Sequence, residues 1–155
     1  MLGGGVMVKP RLNVQMKGLD KTIERFEILA KKKKKETAEL VNQKAIDIQR
    51  GAKKRAPVDD GALRASIVIE KFQNGMAARV GSRLPYAAYQ EWGTGIYAQH
   101  PDIPGRKTPW SFKHPKTGEW WINFRGAKPQ PFLFPAFEAE REDFLKRIEE
   151  LYKTL

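Results

Sequence analysis

Ala56-Pro57-Val58-Asp59-Asp60-Gly61-Ala62-Leu63-Arg64-Ala65-Ser66-Ile67 is the stretch on which the fold turns, because one element must end there and two must begin. Pro57 lacks an N–H and pushes Ala56 toward an extended conformation, so a helix arriving from upstream stops. Asp59, Asp60 and Gly61 are turn formers. Asp60 is placed to cap a short helix over 62–65. Ile67 and Ile69 then alternate with Val68 and Glu70, the period of a strand.

Upstream, Asp20 suits an N-cap, and Ile23, Phe26, Ala30, Lys34, Thr37, Val41, Ala45, Ile48 and Ala52 step by three or four. This is one helical face, interrupted by Lys34 and weakened by Thr37. Unbroken to residue 55, the helix would span roughly 55 Å. It must break near Lys31–Lys35, protrude, or be covered by another subunit. Farther back, Leu12, Val14 and Met16 alternate with polar residues, predicting a strand over 11–17. Residues 1–10, rich in glycine, form a flexible tail.

Downstream, Asn74-Gly75 predicts a hairpin between strands 66–72 and 76–82. Tyr86–Trp92 reads as a brief helix ended by Gly93 and Gly95. Residues 96–131 carry six prolines and three of the four tryptophans. Within them, Trp110, Phe112, Trp120, Trp121 and Phe124 flank Lys116-Thr117-Gly118 in a small aromatic hairpin. Such a long irregular segment points to a binding role, so 96–130 is read as an extended arm and its five aromatics as a candidate subunit interface. A last helix begins near Pro135, with Phe137, Phe144, Ile148 and Leu151 on its apolar face.

The net charge is +11, unevenly spread. Residues 1–57 hold 15 Lys and Arg against 6 Asp and Glu, whereas 136–155 hold 4 against 6. That balance attracts polyanions and lets basic and acidic faces of neighbouring copies attract one another. No apolar run is long enough for a membrane span. The absence of cysteine excludes disulfides and thiolate metal sites and is compatible with synthesis in a reducing cytosol.

The residues offer little chemistry. His100 and His114 lie in the proline-rich segment, away from metal-ligand spacing, and read as surface histidines. No nucleophile elbow, Walker loop or dinucleotide fingerprint occurs. Asp59, Asp60 and Glu91 are the acidic set a metal-dependent nuclease would need. Aspartates in a Pro/Gly turn more commonly shape the backbone. Gly93-Thr94-Gly95 is too short for a phosphate loop. Lys31, Lys32, Lys33, Lys34 and Lys35 point in all directions on a helix, so they form a solvated surface or contact DNA or an acidic partner.

Three segments resemble motifs of a family of small phage neck and tail-completion proteins, similar to minor tail protein Z of long-tailed phages. The first holds Pro57, Asp59, Gly61, Leu63, Arg64 and Ser66. The second is Tyr86-Ala87-Ala88-Tyr89-Gln90-Glu91-Trp92-Gly93-Thr94. The third, Pro129–Ala136, contributes Pro131, Phe132, Pro135 and Ala136. The departures are Asp60 for a usual threonine and Trp92 for a usual phenylalanine, and both keep the physical role. The motifs suit packing rather than catalysis, with Leu63, Ile67, Tyr86, Tyr89 and Trp92 apolar and Arg64 free to pair with Glu91.

The reading is therefore an α+β fold. A small antiparallel sheet from 11–17, 66–72, 76–82 and the 110–124 hairpin packs against a long N-terminal helix and a C-terminal helix in one domain, 11–155. The resemblance implies a non-enzymatic virion protein without cofactor or metal, made in the host cytoplasm. It implies a homo-oligomeric ring in the neck, joining head and tail around the DNA channel. Its partners would be other neck, terminator or tail-tube proteins, with nonspecific contact to double-stranded DNA and none to membrane. A basic DNA-binding accessory protein is the alternative, and a small metal-dependent nuclease a third.

Overall fold

A computed structural model describes residues 19–153 except Asp60 and Pro104. The expected tail 1–10, strand 11–17 and Asp60 cap lie outside the described residues. The chain divides into two compact units, residues 1–32 and 33–155. In order, the elements are α1 (Leu19–Arg55), α2 (Ala62–Ser66), β1 (Ile67–Phe72), β2 (Ala77–Ser82), α3 (Ala87–Trp92), β3 (Trp110–Lys113), β4 (Trp120–Phe124) and α4 (Phe134–Lys153). The fold is α+β.

Helix α1 is unbroken from Leu19 to Arg55, so of the three alternatives for its length the break at the lysine run does not occur. Lysine is a good helix former, and Lys35 lies within reach of Glu39 one turn on. In the first unit the described part of α1 exposes Leu19, Ile23, Phe26 and Ile28.

In the second unit, α1 and α4 run antiparallel. At one end Gly51 lies so close to Ala136 that a side chain on the glycine would press on the alanine Cβ at 3.2 Å. Farther along, the Lys44 ammonium reaches Glu140 at 2.6 Å and Asp143 at 2.5 Å. Next, the Thr37 hydroxyl meets the Tyr152 hydroxyl at 2.9 Å. Last, Lys33 Nζ donates to the Leu151 carbonyl at 2.7 Å, near the C-terminus of α4. A cation there satisfies a carbonyl left over at the helix end and favours the helix dipole.

This ladder corrects two readings of α1. The inward lysine is Lys33 rather than Lys34, which is exposed. Thr37 is buried and bonded, so it anchors the face it was expected to weaken.

The core is small and alanine-rich. Ala52, Ala56, Leu63, Ile67, Ala87, Phe132 and Ala136 form it, with Ile48, Val80, Leu84 and Leu133 against it. It draws on α1, α2, β1, α3 and α4. Gln49 ties α1 to the start of β1 by donating to the Ile67 carbonyl at 2.8 Å.

Strands β1 and β2 pair antiparallel from Ile67↔Ser82 to Phe72↔Ala77, joined through Gln73, Asn74 and Gly75 at positive φ. The predicted hairpin is present. The second hairpin, β3–β4, is a separate two-stranded sheet rather than an extension of the first. Its rings pack on one another, Trp110 edge-on to Phe124 at 4.9 Å and Phe112 to Phe124 at 5.3 Å, while Trp121 stays 41% exposed.

Two outcomes follow from the α1–α4 ladder. Changing Lys31, Lys34 and Lys35 to glutamine leaves the melting temperature nearly unchanged, since exposed charges contribute little. Adding Lys33→Gln lowers stability by about 1 kcal/mol, read by urea denaturation.

The second outcome concerns pH. Hydrogen bonds donated to Asp143 and then Glu140 raise Lys44 above its ordinary 10.5. The bond from Lys44 holds Asp143 below its ordinary 3.8. A raised lysine stabilises the fold below its unfolded value and loses that contribution as pH rises through the folded one. A lowered aspartate stabilises above its unfolded value and loses it as pH falls through the folded one. The melting-temperature difference between wild type and Lys44→Met is therefore flat between 3.8 and 10.5 and shrinks as pH moves beyond either end.

Candidate functional site

The second and third motifs meet at one carboxylate. Glu91, on α3, is buried. Its Oε2 accepts the backbone N–H of Phe132 at 2.8 Å and of Leu133 at 2.9 Å, and its Oε1 accepts that of Phe134 at 2.7 Å. These amides lead into α4, whose first turn has N–H groups without intrahelical partners. Pro135 in that turn has no N–H to satisfy. A negative charge at a helix N-terminus is also favoured by the dipole. The expected Arg64–Glu91 ion pair is absent: Arg64 is exposed, and Glu91 is engaged with backbone. Sequence spacing pointed to a charge partner because a backbone acceptor role leaves no mark on residue type.

The glycines around this clamp serve close backbone contacts. Gly93, at φ 77°, ends α3. Thr94 N–H donates to the Ala127 carbonyl at 2.9 Å, and Thr94 Oγ1 accepts the Ala127 N–H at 2.8 Å. Gly95 and Gly126 face each other so closely that a Cβ on either would collide with the opposite backbone carbonyl. The base of the 96–130 segment is thereby tied shut.

In the first motif, Leu63 is buried and Gly61, at φ 79°, sits at the N-cap position of α2. Ser66 Oγ donates to the Leu63 carbonyl at 2.7 Å and meets Ser82 Oγ at 2.7 Å. Asp59 is exposed and takes Lys116 at 2.5 Å, which holds its carboxyl below the ordinary range. Asp59 and Glu91 thus have separate duties, and among the described residues no group of three His, Asp or Glu is placed to hold a metal. Pro57 follows the end of α1, and Pro131 precedes buried Phe132 and Ala136. Tyr86 and Tyr89 are 43% and 47% exposed, so they do not supply the packing expected of them.

A groove of about 530 Å³ opens beside the clamp. Val41 and Ile48 of α1, Val80 of β2, Trp92 of α3 and Phe137 and Phe144 of α4 line it. Trp92 lies against Phe134 and His100, at ring separations of 6.0 and 5.2 Å. Periodicity marked Val41, Ile48, Phe137 and Phe144 as apolar faces. That these faces leave an opening between them was not legible.

The hairpin sorts its aromatics. Trp110, Phe112, Trp121 and Phe124 pack together, with His114 stacked on Trp121 at 4.9 Å. Trp120 and Ile122 point away, 66% and 73% exposed.

Residues 20–93 match the family model described as "Bacteriophage HK97-gp10, putative tail-component". Over this segment the chain is similar to that family of phage tail components. Comparison with curated proteins and with solved structures returns no match. The matched segment covers nearly all of α1 and continues through α3, including Glu91. The hairpin and α4, which the carboxylate holds, lie beyond it.

Glu91→Ala strands three backbone amides at the head of α4 and costs about 3 kcal/mol. Glu91→Gln, with one acceptor oxygen, loses less, and Arg64→Ala stays within about 0.5 kcal/mol of wild type. Equilibrium urea denaturation of the three variants checks this order.

Proposed function

We propose that this chain is a ring-forming structural protein of the phage neck or tail-completion assembly, joining head and tail around the DNA channel. The carrying observation is the family match over residues 20–93. The three motifs support it, because they serve a packed scaffold: Glu91 clamps α4, Ser66 joins α2 to β2, and Gly93 turns the chain. No reaction is proposed. Partners are further copies of this chain and neighbouring neck, terminator or tail-tube proteins in the virion.

The lysine run has a place in this reading. Lys31, Lys34 and Lys35 are exposed cations, and exposed cations lining a channel would meet DNA phosphates without reading sequence. The same residues support the second reading, a DNA-binding accessory protein.

Electron microscopy of the purified protein, with labelling of intact virions, tests the proposal. The expected result is closed rings in solution and label at the head–tail junction. Label elsewhere in the particle sinks the junction role. A monomer that binds duplex DNA, with affinity falling steeply as salt rises, favours the second reading.

A further inference from the structure

We infer that the base of the arm is a phosphate clamp for duplex DNA, built by Arg106, Lys107, Lys113, Arg125 and Lys128. The inference rests on the proposed place of the protein around a DNA channel, and it moves the main DNA contact from the lysine run to the arm.

The five cations come from two stretches that the fold lays side by side. Ladder pairing sets Lys113 across from Trp120, Phe112 across from Trp121 and Trp110 across from Phe124. At the lower end both stretches abut Gly95. A Cβ on Gly105 would lie 2.7 Å from the Gly95 carbonyl oxygen, and one on Gly126 would lie 2.9 Å from the Gly95 Cα. Arg106 follows the first of these glycines and Arg125 precedes the second. Gly95 thus brings together the backbones of two arginines far apart in the chain, with Lys107 and Lys128 close behind them. All five side chains are exposed.

No acid interrupts the cluster. Residues 103–113 and 120–130 contain no Asp or Glu. The two acids of the arm lie outside these stretches. Asp102 sits beside His100, with its carboxylate 3.7 Å from the ring nitrogen. Glu119 is at the far end, before β4, where Lys116 faces Asp59, so the tip is close to balanced and is no part of the clamp. Glu91, on neighbouring α3, is committed to the amides of α4. The lysine run differs, because Lys33 lies near Glu36 and Lys35 near Glu39, and part of its charge is compensated within the helix.

Exposed cations without acids among them attract a polyanion. Arginine adds a planar fork that holds a phosphate through two N–H groups. Arg106 lies over the Trp110 ring at 5.4 Å, which orients its guanidinium. Contacts of this kind go to the phosphate backbone and read no sequence. Single strands would call for open stacking platforms. Here Trp110, Phe112, Trp121 and Phe124 pack on one another, which favours the duplex.

The test is fluorescence anisotropy of a labelled duplex of arbitrary sequence with the full-length protein, over a range of salt concentrations. Wild type binds, with log affinity falling linearly as log salt rises. Changing Lys107, Lys113, Arg125 and Lys128 together to glutamine weakens binding roughly 100-fold at about 0.1 M salt and lowers the slope by about 3. Urea denaturation reads the same stability in this variant as in wild type. A charge-preserving variant, Lys107→Arg, Lys113→Arg, Arg125→Lys and Lys128→Arg, keeps the affinity within about threefold. Lys31→Gln with Lys34→Gln and Lys35→Gln costs less than about fivefold. A glutamine variant of the arm that binds like wild type overturns the inference. So does a wild type that leaves the duplex free even at about 20 mM salt, or one that prefers a single strand and loses it in Trp120→Ala. Microscopy reads assembly separately. Rings at the junction without DNA binding remove this inference alone, and arm-dependent DNA binding by a protein absent from the junction removes the assembly reading alone.

Discussion

The Glu91 carboxylate, seated on three backbone amides at the head of α4, is the contact through which the rest of the second unit is organised. It joins α3 to a segment some forty residues later in the chain. The join fixes Phe132 in the core and starts α4 at a defined point and angle. From that start, α4 runs back along α1, and the polar ladder at Lys44, Thr37 and Lys33 falls into register. A core built largely from alanines has little apolar area of its own. Buried hydrogen bonds of this kind supply specificity that such a core lacks, because a misplaced helix would leave the carboxylate and the amides unpaired.

The same economy explains the groove. Close approach of α1 and α4 at Gly51 and Ala136 brings one end of the pair together. Farther along, Val41, Phe137 and Phe144 line an opening. A monomer with a fuller core would close it. Uncovered apolar surface is where association gains its driving force.

The aromatic hairpin follows a related logic. Its tie to the rest of the chain is backbone bonding at Thr94–Ala127 and glycine contact at Gly95 and Gly126. A two-stranded ribbon is marginal alone. Here it is stabilised by ring–ring packing of Trp110, Phe112, Trp121 and Phe124, while Trp120 and Ile122 stay exposed. The sequence marked five aromatics together as an interface. The structure divides them between internal packing and exposure.

Much of the local structure was legible in residue order alone. Pro57 ends α1, the period of three to four marks its apolar face, Asn74-Gly75 makes the first hairpin, and Pro135 sits in the first turn of α4. These are decided by backbone sterics and short-range periodicity, which a linear sequence carries completely. The pairing of hairpins into one sheet was expected and did not occur, since strand patterns say which faces are apolar but not which other element covers them. Glu91 was recognised as a motif residue and given to Arg64, because a carboxylate's partner among backbone amides has no side-chain signature. Lys33 could not be separated from its four lysine neighbours until α4 lay beside it with an open carbonyl. What only the tertiary structure decided was therefore the choice of partner, which depends on distances between residues far apart in the chain.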